Sequence, residues 1–357
     1  MTGIPGRRAA PRTVTCLWIE SGGSAVAHEP VLLDAMLETL APAAGETIVD
    51  ATFGGGGYSR AILAAASCRV IGIDRDPAAV ARGRALAAAE PRFTMLEGTF
   101  GELPRLLGAA GTGLVEGPVD GIVADLGVSS FQLDEAARGF SFQADGPLDM
   151  RMGGTGETAA ELLARLDEAE LARLLRELGD EPEAGRVARA IVRRLAERPI
   201  TTTGELVSVV TVAKRQKKPG RSPATQVFQA LRIAVNDELG ELDRLLEAAP
   251  DCLAPGGRLV LVAFHSLEDR RIKRFIDQAA GRVARPSRHL PLTTEATRAR
   301  LRWLERKVVR PGEAEVQTNP RARSARLRAA VKLAEEGEAV THGASGGSMV
   351  ETWRAAA

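Results

Sequence analysis

The sequence is poor in the residues that build metal centres, disulfide scaffolds and aromatic cores. It has three cysteines, Cys16, Cys68 and Cys252, far apart. That spacing forms neither a zinc site nor a disulfide framework, and a reducing, cytoplasmic compartment is expected. The four histidines, His28, His265, His289 and His342, are too scattered for a metal motif, so no metal is expected. Aromatic residues make up only 4% of the chain, which leaves the core to Ala, Leu and Val. No run approaches the ~20 apolar residues of a membrane helix, and the short cluster from Val14 to Ile19 is too weak for a signal-peptide core. Net charge is +1, which by itself predicts no polyanionic partner.

What is present is an ordinary globular composition, 45% apolar and 26% charged over 357 residues. At ~150 residues per domain this suits one large domain and a smaller one. The charge is unevenly placed. Residues 281–330 carry thirteen Lys/Arg against four Glu, and Lys214 to Arg221 holds five cations in eight residues. Such asymmetry points to a nucleic-acid face, the alternative being a solvated helix face and a loop.

Strand and helix patterns alternate from Glu46 to Asp125. Thr47–Asp50, Arg69–Asp74, Phe93–Glu97 and Gly121–Asp125 read as strands, and Tyr58–Ala66 and Pro77–Ala89 as helices. Near-continuous apolar strands separated by helices predict a parallel sheet covered on both faces. Residues 138–223 break the pattern: Glu161–Leu178, Glu183–Glu197 and Thr203–Ala213 have helical spacing. The alternation resumes with a helix from Gln226 to Leu246, the turn Pro255-Gly256-Gly257, a strand Arg258–Phe264 and a helix from about Leu267. The expected organisation is a disordered extension (1–27), an α/β domain in two parts (28–137 and 224–331) around a helical insertion (138–223), and a flexible tail (332–357).

The first strand runs into Asp50-Ala51-Thr52-Phe53-Gly54-Gly55-Gly56-Gly57-Tyr58-Ser59. Glycines between a strand and a helix let backbone amides approach a ligand at the helix amino terminus. The dinucleotide fingerprint fails here, because Ser59 or Arg60 stands where its third Gly or Ala belongs. The ATP loop fails for want of Gly-Lys-Ser/Thr. Asp74 ends strand two, where a carboxylate accepts two hydrogen bonds from a ribose diol. A ribose-bearing cofactor without a pyrophosphate fits S-adenosylmethionine. The competing reading is a tight turn with Asp74 capping the next helix.

Several further blocks stand in order. They include His28-Glu29-Pro30-Val31-Leu32-Leu33, Ile73-Asp74-Arg75-Asp76-Pro77 and Asp120 to Ser130. Arg138-Gly139-Phe140-Ser141-Phe142, Asp145 to Met152, Phe264 to Arg270 and Asn319 to Ala325 follow. Together with the glycine run they resemble the ribosomal RNA small subunit methyltransferase H family over about residues 28–331. The resemblance implies an α/β, Rossmann-like S-adenosylmethionine-dependent methyltransferase sheet with an inserted helical domain. It implies methylation of the exocyclic N4 amine of a decoding-centre cytidine in 16S rRNA, within the small ribosomal subunit, by a monomer or homodimer. It also implies cofactor contacts at Gly56, Gly57, Tyr58, Asp74, Phe100, Asp125 and Gln132. Two positions depart from the family: Tyr58 replaces a usual His, and Gly153 a usual Asp.

The amine of cytosine is a poor nucleophile, since its lone pair is delocalised into the ring. Acceptors that hold its N–H groups and proximity to the methyl donor are what a catalyst must supply. Many amino-methyltransferases use Asp/Asn-Pro-Pro-Tyr/Phe after strand four. Here Asp125-Leu126-Gly127-Val128 stands there, so those roles do not transfer. Asp125 and His265, on one edge of the sheet, are the catalytic candidates; a loop carboxylate and a loop-orienting histidine are the plainer alternatives. Ser266 with Asp269 reads as a helix cap. Lys217, Lys218, Arg321, Arg323 and Arg326 are the candidate RNA contacts. A non-catalytic RNA-binding assembly factor and a nicotinamide-dependent oxidoreductase are the competing classes.

Overall fold

The computed structural model describes residues 30–109, 117–215, 222–282 and 298–334. The amino-terminal extension, His28, Glu29, Lys217 and Lys218 lie outside the described residues, as does the expected tail beyond residue 334. The first part holds α1 (Leu33–Leu40), β1 (Thr47–Asp50), α2 (Gly57–Ala65), β2 (Arg69–Asp74), α3 (Pro77–Ala89), β3 (Phe93–Glu97), α4 (Leu103–Ala109) and β4 (Val119–Asp125). A short α5 (Ser130–Asp134) leads to α6 (Ala159–Arg165), α7 (Glu168–Gly179), α8 (Ala184–Glu197), α9 (Thr203–Ala213), α10 (Thr225–Asn236) and α11 (Glu238–Cys252). The chain returns through β5 (Leu253–Ala263), α12 (Ser266–Ala279), β6 (Leu301–Val309), α13 (Glu313–Thr318) and β7 (Arg326–Lys332).

The strands form one seven-stranded sheet in the order β3-β2-β1-β4-β5-β7-β6. β1 to β5 are parallel, β7 runs antiparallel to β5, and β6 antiparallel to β7. Side chains alternate between two buried layers. Ile122, Ala124, Leu259 and Leu261 face one layer with Leu242, Leu245, Ile272 and Ile276. Val123, Val260 and Val262 face the other with Met36, Leu40 and Ile62. The order reverses between β1 and β4, and a parallel sheet opens a crevice at the carboxyl ends of its strands at such a point.

Local chemistry moves several expected boundaries. The span 161–178 is two helices, because Asp167 accepts the Glu170 amide at 2.8 Å and starts α7 afresh. Thr158 with Glu161 and Thr202 with Glu205 make the same reciprocal cap for α6 and α9. The span 226–246 breaks at Asp237, in the left-handed region at φ 49°. Pro255-Gly256-Gly257 lies within β5 as a bulge: the register with β4 jumps from Val119↔Leu253 to Gly121↔Arg258. Lys332, assigned to the tail, ends β7 with its Nζ on the Pro250 carbonyl.

The helices after β4 bury a separate cluster that includes Met150, Leu163, Leu171, Leu175, Val187, Ile191, Leu206 and Val210. Val227, Phe228, Ala230 and Leu231 of α10 belong to it as well. Apolar packing therefore carries the helical unit to Asn236, past the boundary drawn at 223. No described helix is long and apolar enough to cross a membrane.

Candidate active site

Three parallel strands, β1, β2 and β4, end in aspartates at the carboxyl edge of the sheet. Asp50 ends β1 fully buried; its Oδ2 accepts from Ser59 Oγ at 2.6 Å and its Oδ1 from the Thr52 amide at 3.3 Å. Burial outweighs those bonds and pushes its carboxyl up to about 6. Asp74 ends β2 and holds the glycine loop, accepting from the amides of Gly54 and Asp76 at 2.8 Å each. Each oxygen keeps a second acceptor position for a ligand hydroxyl. Burial raises this carboxyl too. Asp125 ends β4; its amide donates to Thr52 Oγ1 at 2.6 Å, and its Oδ1 is buried with no hydrogen-bond partner. Burial first, then the fields of Asp50 and Glu268, hold Asp125 well above the usual carboxylate range.

The glycine loop is shaped mostly by the protein's own side chains. Gly54 and Gly56 take left-handed backbone at φ 53° and 77°. The Gly56 amide is already bonded to the Phe53 carbonyl, at 2.7 Å. A Cβ on Gly55 would meet the Phe131 ring, and one on Gly57 would run into Pro30. Gly56 offers α2 no side-chain cap, so the first-turn amides from Gly57 onward remain the loop's donors.

Other expected contacts are placed differently from the sequence reading. The Tyr58 side chain is buried, and its hydroxyl donates to the Val31 carbonyl at 2.5 Å. Burial, with Asp125, Asp50 and Glu315 nearby, pushes its hydroxyl far up. Only its backbone amide is left at the loop. Gln132 is tied into the structure: Oε1 accepts the Ser129 amide at 3.0 Å, capping α5, and Nε2 donates to Asp76 Oδ2 at 2.7 Å. Phe100 is half-buried in a turn after β3 and packs on the α4–α11 layer. A cavity of about 470 Å³ opens beside the loop, walled by Asp76, Arg82, Phe131, Gln132 and Arg138. Asp76 and Arg138 escaped the sequence reading, although Asp-Pro at a helix start signals the Asp76 cap on α3.

His265 is the amino-terminal cap of α12, which corrects the expected Ser266–Asp269 cap by one residue. Its Nδ1 accepts the Glu268 amide at 3.4 Å, and Glu268 Oε2 accepts the amides of Phe264 and His265 at 2.8 and 3.2 Å. His265 Nε2, buried, lies 3.2 Å from Glu268 Oε1 without hydrogen-bond geometry. Burial alone would raise Glu268; the nearby His265 ring, the charge of Arg232 and the Phe264 amide win and hold it low. Glu238, His265 and Glu268 bring ligand atoms within 4.8 Å of one another. Arg232 already donates twice to Glu238, at 2.8 Å each, and supplies the positive charge there. Ser266 Oγ donates to Asp180 of the helical unit at 2.9 Å.

Of the described basic candidates, Arg323 is exposed. Arg321 pairs with Asp134 at 2.6 Å. Arg326 is half-buried against Asp269 at 2.9 Å, where Arg328 donates as well, so its guanidinium is held within the fold.

A parallel-then-antiparallel sheet of this order, with a glycine loop after β1, an acid ending β2 and an acidic crevice, defines a Rossmann-like methyltransferase. Comparison with known proteins narrows the class. The profile of the MraW methylase family matches residues 25–333. The ribosomal RNA small subunit methyltransferase H of Granulibacter bethesdensis is 53% identical over 341 residues, covering 94% of this chain and 99% of its own length. That of Acidiphilium cryptum is 55% identical over 317 residues, covering 88% and 99%. Among solved structures, an rRNA methylase from Streptococcus thermophilus aligns with 84% of this chain and 93% of its own at 12% identity, with a TM-score of 0.35. The chain belongs to the MraW methylase family.

Proposed function

We propose that the protein transfers a methyl group from S-adenosylmethionine to the exocyclic N4 amine of a decoding-centre cytidine in 16S rRNA, in the cytoplasm. The relatives named above support the rRNA substrate. The observation that carries the chemistry is the buried, unpaired Oδ1 of Asp125 at the end of β4. Asp74 and Asp125, both raised by burial and with the buried Asp50 close to each, make an edge that suits a ligand with a positive charge and a ribose diol. When bound, S-adenosylmethionine supplies an electrophilic methyl. Asp74 would hold the ribose, the Gly57 and Tyr58 amides the methionine end, and Phe100 would pack near the adenine. Asp125 would accept from the amine and orient its lone pair; His265 acts by capping α12 under that edge.

The helical unit and the exposed Arg323, together with Lys217 and Lys218, would form the RNA face, with the target base unstacked to reach the crevice. Mass-spectrometric nucleoside analysis of rRNA from a deletion strain tests the reading. Loss of N4-methylcytidine that the wild-type gene restores and an Asp125→Asn gene does not is the expected result. Unchanged nucleosides would remove it.

A further inference from the structure

One polar network joins the residues that end β2 to the helical unit, and Arg138 is its hub. Asp76 is 3% exposed and accepts from Arg138 Nη1 at 2.9 Å. Its own amide donates to Asp74, the proposed ribose residue, at 2.8 Å. The other prong of Arg138, Nη2, donates to the carbonyls of Arg151 and Met152 at 3.1 and 3.0 Å. The Arg138 carbonyl also accepts the Met150 amide at 3.0 Å. Arg138 thus grips the turn at 150–152 from two sides.

That turn is an unusual piece of backbone. Met150 is fully buried in the helical cluster, yet sits at φ 64°, where a residue with a side chain is strained. It holds that conformation because its neighbours are tied down. Asn236, the last residue of α10, accepts the Met152 amide at 2.8 Å and donates to the Met150 carbonyl at 2.7 Å. A second strut returns to β2: Arg75 Nη1 donates to the Asn236 carbonyl at 2.9 Å. Gly153 lies beside this strut, where a Cβ would stand 3.4 Å from Arg75 Nε. Asp74-Arg75-Asp76 therefore contacts the ligand crevice with its first residue and the helical unit with the other two.

We infer that Arg138, backed by Arg75, is a positioning residue that couples cofactor binding in the crevice to RNA binding on the helical unit. The inference rests on the proposed function. Ordering Asp74 around a ribose diol orders the Asp76 amide and, through Arg138, the 150–152 turn. RNA that fixes the helical unit then meets a crevice already set. Coupling of this kind is reciprocal and typically spans about 5–150-fold in affinity.

The test uses the full-length chain, S-adenosylhomocysteine as unreactive cofactor probe, and small ribosomal subunits from the deletion strain. Calorimetry gives the dissociation constant of S-adenosylhomocysteine with and without saturating subunits; their ratio is the coupling. The wild type should show a ratio of about fivefold or more. Arg138→Lys keeps a cation beside Asp76 but cannot also reach both carbonyls, and Arg138→Gln removes the charge. Both should bring the ratio close to one, as should Arg75→Gln, while each ligand alone binds within a small factor of wild type. With saturating subunits the KM for cofactor of Arg138→Lys should rise by about the coupling factor that is lost, while its affinity for S-adenosylhomocysteine alone stays near wild type. Partial unfolding can only raise this ratio, because saturating subunits draw the chain into the folded state, so a ratio near one does not report lost stability. If Arg138→Gln does not fold, Arg138→Lys decides. A wild-type ratio of one, or a wild-type ratio retained by Arg138→Lys, overturns the inference and leaves the proposed function standing. Failure of the wild type to bind S-adenosylhomocysteine at all would overturn both.

Discussion

The amide of Asp125 donates to Thr52 Oγ1 at 2.6 Å, clipping the end of β4 to the loop that leaves β1. The clip fixes the backbone of Asp125 and leaves its Oδ1 buried and unpaired. A buried acceptor without a partner is costly in a protein at rest, and such groups collect where a ligand completes them. Asp125→Asn keeps the size and replaces one carboxyl oxygen by an amide nitrogen that cannot accept. Single-turnover methylation should slow by about 10²-fold or more, with subunit binding nearly unchanged. A comparable rate would reduce Asp125 to a structural carboxylate.

Asp50 makes the pH dependence readable. Its carboxyl is pushed up to about 6 by burial, so the folded protein favours the neutral form. The stability this contributes is full below the ordinary carboxylate value of about 3.9 and is lost as pH rises through about 6. A shift of about two units corresponds to about 3 kcal/mol at most. Urea titrations should show Asp50→Asn losing most, relative to wild type, near pH 4 and losing less, or gaining, near pH 7. A difference independent of pH would mean that Asp50 titrates normally. A cationic ligand in the crevice works the other way, so its binding near pH 6 should release protons, visible as a buffer-dependent calorimetric enthalpy.

Tyr58 tests the division between a backbone amide at the loop and a side chain in the core. Tyr58→Phe leaves the Val31 carbonyl without its buried donor, a loss of about 1–3 kcal/mol. The melting temperature should drop accordingly, while affinity for S-adenosylmethionine stays within about twofold. A large loss of affinity at unchanged stability would put the hydroxyl in the cofactor site.

The parallel half of the sheet was legible because its strands are apolar runs bounded by glycine, proline and acids. β2, α3 and β3 lie where the pattern puts them. β6 and β7 were hidden: strong basic charge in 281–330 masked the alternation that buries Leu301 and Trp303 and exposes Arg302 and Leu304. The acids at the strand ends were legible too, since position on a parallel strand fixes which edge they reach. The partners of long side chains were not. Nothing local shows that Gln132 turns to Asp76, that Arg138 spans to the 150–152 turn, or that Arg326 folds back onto Asp269. Those pairings join residues 56 or more apart in sequence or depend on a turn whose strain is invisible in composition.

Arg323 and Arg326 make a matched pair for the RNA face. They are three positions apart in a basic stretch, and charge counting treats them alike. The structure separates them: Arg323 is exposed, whereas Arg326 is half-buried and bound to Asp269, which Arg328 also holds. An exposed cation that reaches a phosphate releases counterions, and its loss should lower the log–log salt slope of binding by about 0.7 for single-stranded RNA or about 0.9 for a duplex. Arg323→Ala, and alanine at Lys217 and Lys218, should each show that drop with stability unchanged. Arg326→Ala should leave the slope as it is and lower the melting temperature, since it strips one partner from a partly buried carboxylate whose pKa the two arginines hold down. Filter binding to small subunits across a salt series, with thermal melts of the same variants, separates the outcomes. A slope that falls for Arg326→Ala as much as for Arg323→Ala would mean that the Asp269 pair opens to RNA, and that the face extends over β7 and α12.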